Sequence, residues 1–333
     1  MKTHTILLLL LFIFTFVKAT VLEMENEKKE SAAAVIKDII KKSTIQAETR
    51  KVYQYANGEQ TNLKGPYLGQ KPPGLKTKVF APGMVSTYGN HEFCCRFSPD
   101  GKEFYFNRGM TIMVCRWETD GWTAPEPVKF TGRYRSHEPH ITTDNKQLFY
   151  GTMRPQPGNE KEKNPYGIWM VERTEKGWSK PGYVGLGMYV SSTQEGIIYV
   201  TDVSGRDLKS QGIVKTKIKN GRFGKFERQF GGVQTPAPDR FPGRHPFIAA
   251  DESFIIFDAY KKPEGGEGAL FVCFKKKDGS WGEAIKFSDN VNTGHNICAS
   301  LSPDGKYLFY HANKDIYWVD AKIIEELKSK DLN

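Results

Sequence analysis

A turn motif that returns along the chain constrains its fold more than any other feature. The clearest copies are Phe97-Ser98-Pro99-Asp100-Gly101-Lys102 and Leu301-Ser302-Pro303-Asp304-Gly305-Lys306, followed by the aromatic runs Glu103-Phe104-Tyr105-Phe106 and Tyr307-Leu308-Phe309-Tyr310. Weaker copies are Ile141-Thr142-Thr143-Asp144-Asn145-Lys146 and Ile248-Ala249-Ala250-Asp251-Glu252-Ser253, with a degenerate one, Ser192-Thr193-Gln194-Glu195-Gly196, between them. Asp-Gly, Asp-Asn and Glu-Gly pairs suit tight hairpins because these residues tolerate positive φ. The period, about 44 to 57 residues, is that of a four-stranded propeller blade.

The other parts of a blade recur in register. A third strand is predicted over residues 112–115, 168–171, 270–273 and 316–319, and a fourth segment opens at Trp122, Trp178 and Trp281, with Phe223 or Phe226 as the counterpart. Such regular spacing reads the tryptophans as packing between blades rather than as sugar platforms. The last repeat stops after its third strand, while Val79-Phe80-Ala81-Pro82 resembles the fourth-strand segments of other repeats. The expected fold is all-β, a five-bladed β-propeller whose last blade is completed by residues 78–87, which hides the sheet edges.

Residues 1–19 read as a secretory signal: Lys2, an apolar run over residues 6–17, then Val17-Lys18-Ala19. Residues 20–76 are expected to form a short helix, within 27–42, and a Gly/Pro-rich strap over 65–74; residues 77–333 form the propeller and end in a short charged helix. The mature chain is expected to be exported, periplasmic or secreted, monomeric and without a membrane span. Loss of Lys2 and Lys18 with the signal leaves +8 of the formal charge of +10. For an exported protein this favours acidic polymers over nucleic acid, and no run of basic and aromatic residues resembles a nucleic-acid module. The five cysteines repeat in pairs, Cys94 with Cys298 and Cys115 with Cys273, and are read as buried thiols, with a Cys94–Cys298 bridge as the alternative.

The Ser-Pro-Asp-Gly-Lys turns resemble the TolB-type, WD-like β-propeller repeats of secreted bacterial proteins. The strap at 65–74 followed by Phe80-Ala81-Pro82-Gly83-Met84-Val85-Ser86 is similar to the opening of exported single-domain members common in Bacteroidetes. The resemblance spans residues 65–320; it implies a fold and leaves function open.

His91, His137, His245 and His295 each stand just before a predicted first strand, and are read as one repeat position converging on the channel mouth. In a blade, the link into the first strand and the link between the second and third strands share a face. That face should also carry Tyr88, Arg108, Arg135, Glu138, Arg154 and Arg244. Arginine matches a carboxylate with two parallel hydrogen bonds, and neutral histidine removes a proton near pH 7. The expected chemistry is a carbon–oxygen lyase, an eliminase or dehydratase, on uronate-containing oligosaccharides, sulfated or not. The four histidines and Tyr88 are the catalytic set, and the four arginines and Glu138 bind substrate. Propeller-fold lyases of the oligogalacturonate type look similar in having a central histidine cluster, although their blade number differs. A divalent metal (Zn, Mn or Ca) on the four histidines is compatible with this reading. The runner-up is a noncatalytic propeller for glycan or protein binding.

Overall fold

The computed structural model describes residues 64–331 except 120, 162–164, 206 and 264–265; the expected signal and N-terminal helix lie outside the described residues. The chain divides into Met1–Tyr55 and Ala56–Asn333, and everything below concerns the second unit.

Five antiparallel sheets follow one another. The first three strands of each, from the axis outward, are Glu92–Phe97, Glu103–Arg108 and Thr111–Glu118 in blade one; Ser136–Ile141, Gln147–Thr152 and Gly167–Thr174 in blade two; and Met188–Ser192, Ile198–Asp202 and Gly212–Thr216 in blade three. Blade four has Arg244–Ile248, Phe254–Tyr260 and Gly268–Phe274, and blade five has Ile297–Leu301, Tyr307–Ala312 and Asp315–Asp320. Outer edges are short, such as Gly121–Trp122 or Ile285–Lys286. Each innermost strand packs against the next, and that of blade five returns to that of blade one, so the ring is closed.

The recurring turns owe their sequence to local hydrogen bonds. Ser98 Oγ donates to Asp100 Oδ1 at 2.5 Å and accepts from the Glu103 N–H at 2.9 Å, while the Lys102 N–H donates to the same carboxylate at 3.0 Å. Ser302 with Asp304, and Thr142 with Asp144, repeat this pattern. The degenerate copy keeps only the hydroxyl, with Thr193 Oγ1 accepting from the Ile197 N–H at 3.1 Å.

The last blade closes as expected: Lys78 pairs with Trp318 and Val79 with Tyr317, and the Phe80 N–H donates to the Ile316 carbonyl at 2.8 Å. Phe80 is fully buried among Phe97, Phe104, Phe309 and Trp318. The strap contains one 3-10 turn, Tyr67–Gly69, and lays the Tyr67 ring on Phe97, Tyr307 and Trp318 across blades one and five. The tryptophans do tie blades together: Trp178 Nε1 donates to Tyr105 Oη and Trp281 Nε1 to Gln229 Oε1, each on the preceding blade. Trp122 Nε1 donates to the Gly65 carbonyl of the strap. A helix, Lys322–Asp331, follows blade five and buries Ile324 against blades four and five. Among the described residues no helix is long and apolar enough to cross a membrane.

Candidate active site at the mouth of the ring

Every innermost strand contains one bulge, and its central residue has a left-handed backbone: Cys94 (φ 45°), Glu138 (58°), Tyr189 (52°), His245 (46°) and Cys298 (58°). Each stands seven residues before the positive-φ residue of its hairpin turn, namely Gly101, Asn145, Gly196, Glu252 and Gly305. A non-glycine residue in this region costs about 1–3 kcal/mol, so the ring holds it only where the surroundings over-determine it.

Those surroundings are side chains of the preceding blade's second strand. Asn107 Oδ1 accepts the Glu138 N–H at 2.8 Å, Thr201 Oγ1 the His245 N–H at 3.0 Å, and Asp258 Oδ1 the Cys298 N–H at 3.2 Å. The equivalent residue of blade two is Gly151, which has no side chain, and the Glu138 carboxylate takes its place, accepting the Tyr189 N–H on Oε2 at 2.9 Å. In blade five the position belongs to His311, whose Nδ1 lies 2.9 Å from the Glu92 carbonyl.

This register corrects the expectation that the four histidines occupy one repeat position. Counted back from the positive-φ turn residue, His91 and His295 stand ten residues away, His137 eight and His245 seven. The bulge sits at the same offset in all five strands, so the histidines differ in depth because they stand at different offsets from it. His245 belongs to the bulge layer and His137 to the layer above it, with Phe93, Met188, Arg244 and Ile297.

Two clusters result. In the first, Glu138 Oε1 lies 3.4 Å from His137 Nδ1 and 3.6 Å from His245 Nε2, and His245 Nδ1 meets Asp258 Oδ1 at 2.8 Å. All four residues are buried. Burial alone would raise the Glu138 pKa, but the His137 and His245 imidazoles and the Tyr189 N–H outweigh it and hold the carboxyl below its ordinary value. Tyr166 stacks on His137 with ring centres 5.5 Å apart, and burial, reinforced by Glu138, keeps its pKa well above the ordinary phenol value. Gly151 leaves the room for this stack, since a Cβ there would lie 3.0 Å from both His137 Cε1 and Tyr166 Oη. In the second cluster His295 faces Tyr260 and His311, and His311 faces His91. Arg244 holds its guanidinium 5.3 Å over the Tyr260 ring of the second cluster, and its charge also acts on Tyr166 beside the first.

The remaining expected residues divide. Arg108 is held by Glu92 and by the Met84 and Val85 carbonyls, and Arg154 by the Phe130 and Thr131 carbonyls over the Tyr134 ring. Both therefore pin loops. Tyr88 and Arg135 are exposed. His295 Nδ1 accepts the Gly268 N–H at 3.0 Å. Sequence reasoning missed Tyr166, Asp258 and the bulge as a layer. The equivalence of Cys94 and Cys298, carried to the other repeats by the seven-residue offset, would have found that layer.

No family model and no curated protein matches the chain. Among solved structures, the chain is similar to a protein described as TolB from Agrobacterium tumefaciens (15% identity, 68% of this chain and 71% of that one, TM-score 0.44). It is also similar to an endo-arabinase from Bacteroides thetaiotaomicron (15%, 71% and 94%, 0.46) and a gluconolactonase from Xanthomonas campestris (9%, 75% and 95%, 0.42). With identities of 15% or less and TM-scores of 0.46 or less, the propeller assignment rests on the strand pairing described above. The activities in those names belong to those proteins.

Proposed function

We propose that the mouth of the ring is the active site of an exported carbon–oxygen lyase acting on uronate-containing oligosaccharides. The observation that carries this reading is the stack of Tyr166 on His137 beside the buried carboxylate Glu138, with the Arg244 charge acting on Tyr166. Arg244 has a buried Nε with no hydrogen-bond partner, and supplies a cation for the sugar carboxylate. His137 directs Nδ1 to Glu138, which leaves Nε2 to take the proton from the carbon beside that carboxylate. The electron pair forms the carbon–carbon double bond as the neighbouring carbon–oxygen bond breaks. The Tyr166 hydroxyl, also buried without a partner and protonated at neutral pH, returns a proton to the leaving oxygen.

A noncatalytic glycan-binding reading has its own support. A cavity of about 430 Å³ lies beside the loops of blades three and four on the same face, lined in part by Lys209, Arg240, Phe241 and Lys262. It offers cations without a base.

Incubation with a panel of uronate oligosaccharides distinguishes the two. The lyase produces an unsaturated sugar absorbing in the near ultraviolet, and His137→Ala lowers turnover about a hundredfold or more while binding persists. Arg244→Ala weakens binding and rate together. Binding without product, lost in Lys262→Ala and retained in Arg244→Ala, would replace the lyase with the binding module.

A further inference from the structure

The bulge layer beneath the mouth has a composition that hairpin geometry does not require. Of its five residues, Cys94, Glu138, His245 and Cys298 are metal-ligand types, and the fifth, Tyr189, commits its hydroxyl to the Ala299 carbonyl at 2.6 Å. Both Sγ atoms and a Glu138 carboxylate oxygen lie within 4.8 Å of one another, and all three residues are buried. In the structure the two sulfurs are joined as a disulfide, with Cα atoms 5.1 Å apart.

His245 supplies the second observation. An ionised carboxylate only accepts, so His245 Nδ1 donates to Asp258, which leaves Nε2 directed toward Glu138 Oε1, 3.6 Å away. A proton on Nε2 or a metal cation between Nε2 and Oε1 satisfies both groups. A tetrahedral ion with ligand bonds of about 2.0–2.2 Å to nitrogen and oxygen separates those atoms by about 3.3 Å, close to the spacing found. The Asp258–His245 pair is also the usual arrangement by which a carboxylate fixes the tautomer of a metal-binding histidine.

We propose that, when the Cys94–Cys298 pair is reduced, the two thiolates, Glu138 and His245 bind a thiophilic divalent cation of the Zn²⁺ class on the ring axis. Reduction by a phosphine or thiol adds two electrons and two protons to the disulfide. Metal binding then releases those two protons as the thiolates form. Four protein ligands leave no open position, so the ion ties the innermost strands of blades one, two, four and five together. The site shares Glu138 with the activity proposed above, and its test reads metal binding rather than turnover, so the two readings can fail separately.

The test is to reduce the whole chain with a phosphine, remove oxygen and titrate with Co²⁺. One ion per chain should bind, with a thiolate-to-cobalt charge-transfer band in the near ultraviolet and the intense visible bands of a tetrahedral ion. Cys298→Ser should lose about half of the charge-transfer intensity. Asp258→Asn should weaken affinity about 10–100-fold, as expected for a residue that orients a ligand. Air-oxidised protein, two hydrogens lighter by mass, should bind none. Reduced wild-type protein that takes up no cobalt, or binds it without the charge-transfer band, overturns the proposal even if the variants fail to fold. So does an unchanged spectrum in folded Cys298→Ser.

Discussion

His311 and Asp315 show at the level of single residues how burial becomes pH dependence. Burial pushes His311 down from 6.5 to about 4, with the His91 and His295 imidazoles adding to the effect. The unfolded chain therefore binds its proton first, and stability falls as pH drops from 6.5 towards 4, by on the order of 3 kcal/mol for this group. His140, held well below its ordinary value by burial and Arg96, acts with the same sign. Asp315 acts oppositely: burial and the Glu92 charge push it up from 3.8 to about 6, so the folded state takes up its proton first and gains stability as pH falls through that window. Wild-type protein should thus lose stability below pH 6.5, and Asp315→Asn should lose it more steeply between pH 6 and 4. Urea midpoints measured across this range test the pair; parallel curves for the two proteins would refute the opposition.

Among the elements, the donated edge strand bears most directly on stability. Lys78 and Val79 make few backbone contacts, but they deliver Phe80 into the seam between blades one and five, where four aromatic rings surround it. Phe80→Ala should cost about 3–5 kcal/mol, the usual loss for a truncated core aromatic. Removal of residues through 87 should abolish cooperative melting, because the outer edge of Asp315–Asp320 is then unpaired. Calorimetry of both variants is decisive, and an unchanged transition in the truncation would mean that the ring closes without this strand. The hairpin turns were legible because Ser98, Asp100 and their counterparts satisfy bonds within five residues of chain. The bulges were not, because four different residue types share one backbone conformation, and their bonds run to the neighbouring blade.

For the whole molecule, charge is the property that acts at longest range. With a formal net charge of +10, the protein should bind acidic oligosaccharides more weakly as salt rises, by about tenfold or more between low and high ionic strength. Titrations of acidic and neutral oligosaccharides at two salt concentrations check this, and equal, salt-independent affinities would remove acidic glycans as the partner.

Repeat number, hairpin positions and ring closure could all be read along the chain, because each follows from local turn chemistry or from a strand missing at one end and present at the other. The site could not. His91, His137, His245 and His295 look equivalent in sequence, yet they stand at different offsets from the shared bulge and so at different depths. Arg108 and Arg154 looked free to bind substrate, yet nearby carbonyls hold both. Asp258, Tyr166 and Gly151 carry no motif, and acquire their roles only when blades stand side by side. Contacts between blades depend on the register and depth of each strand around the ring, quantities that no spacing within one repeat encodes.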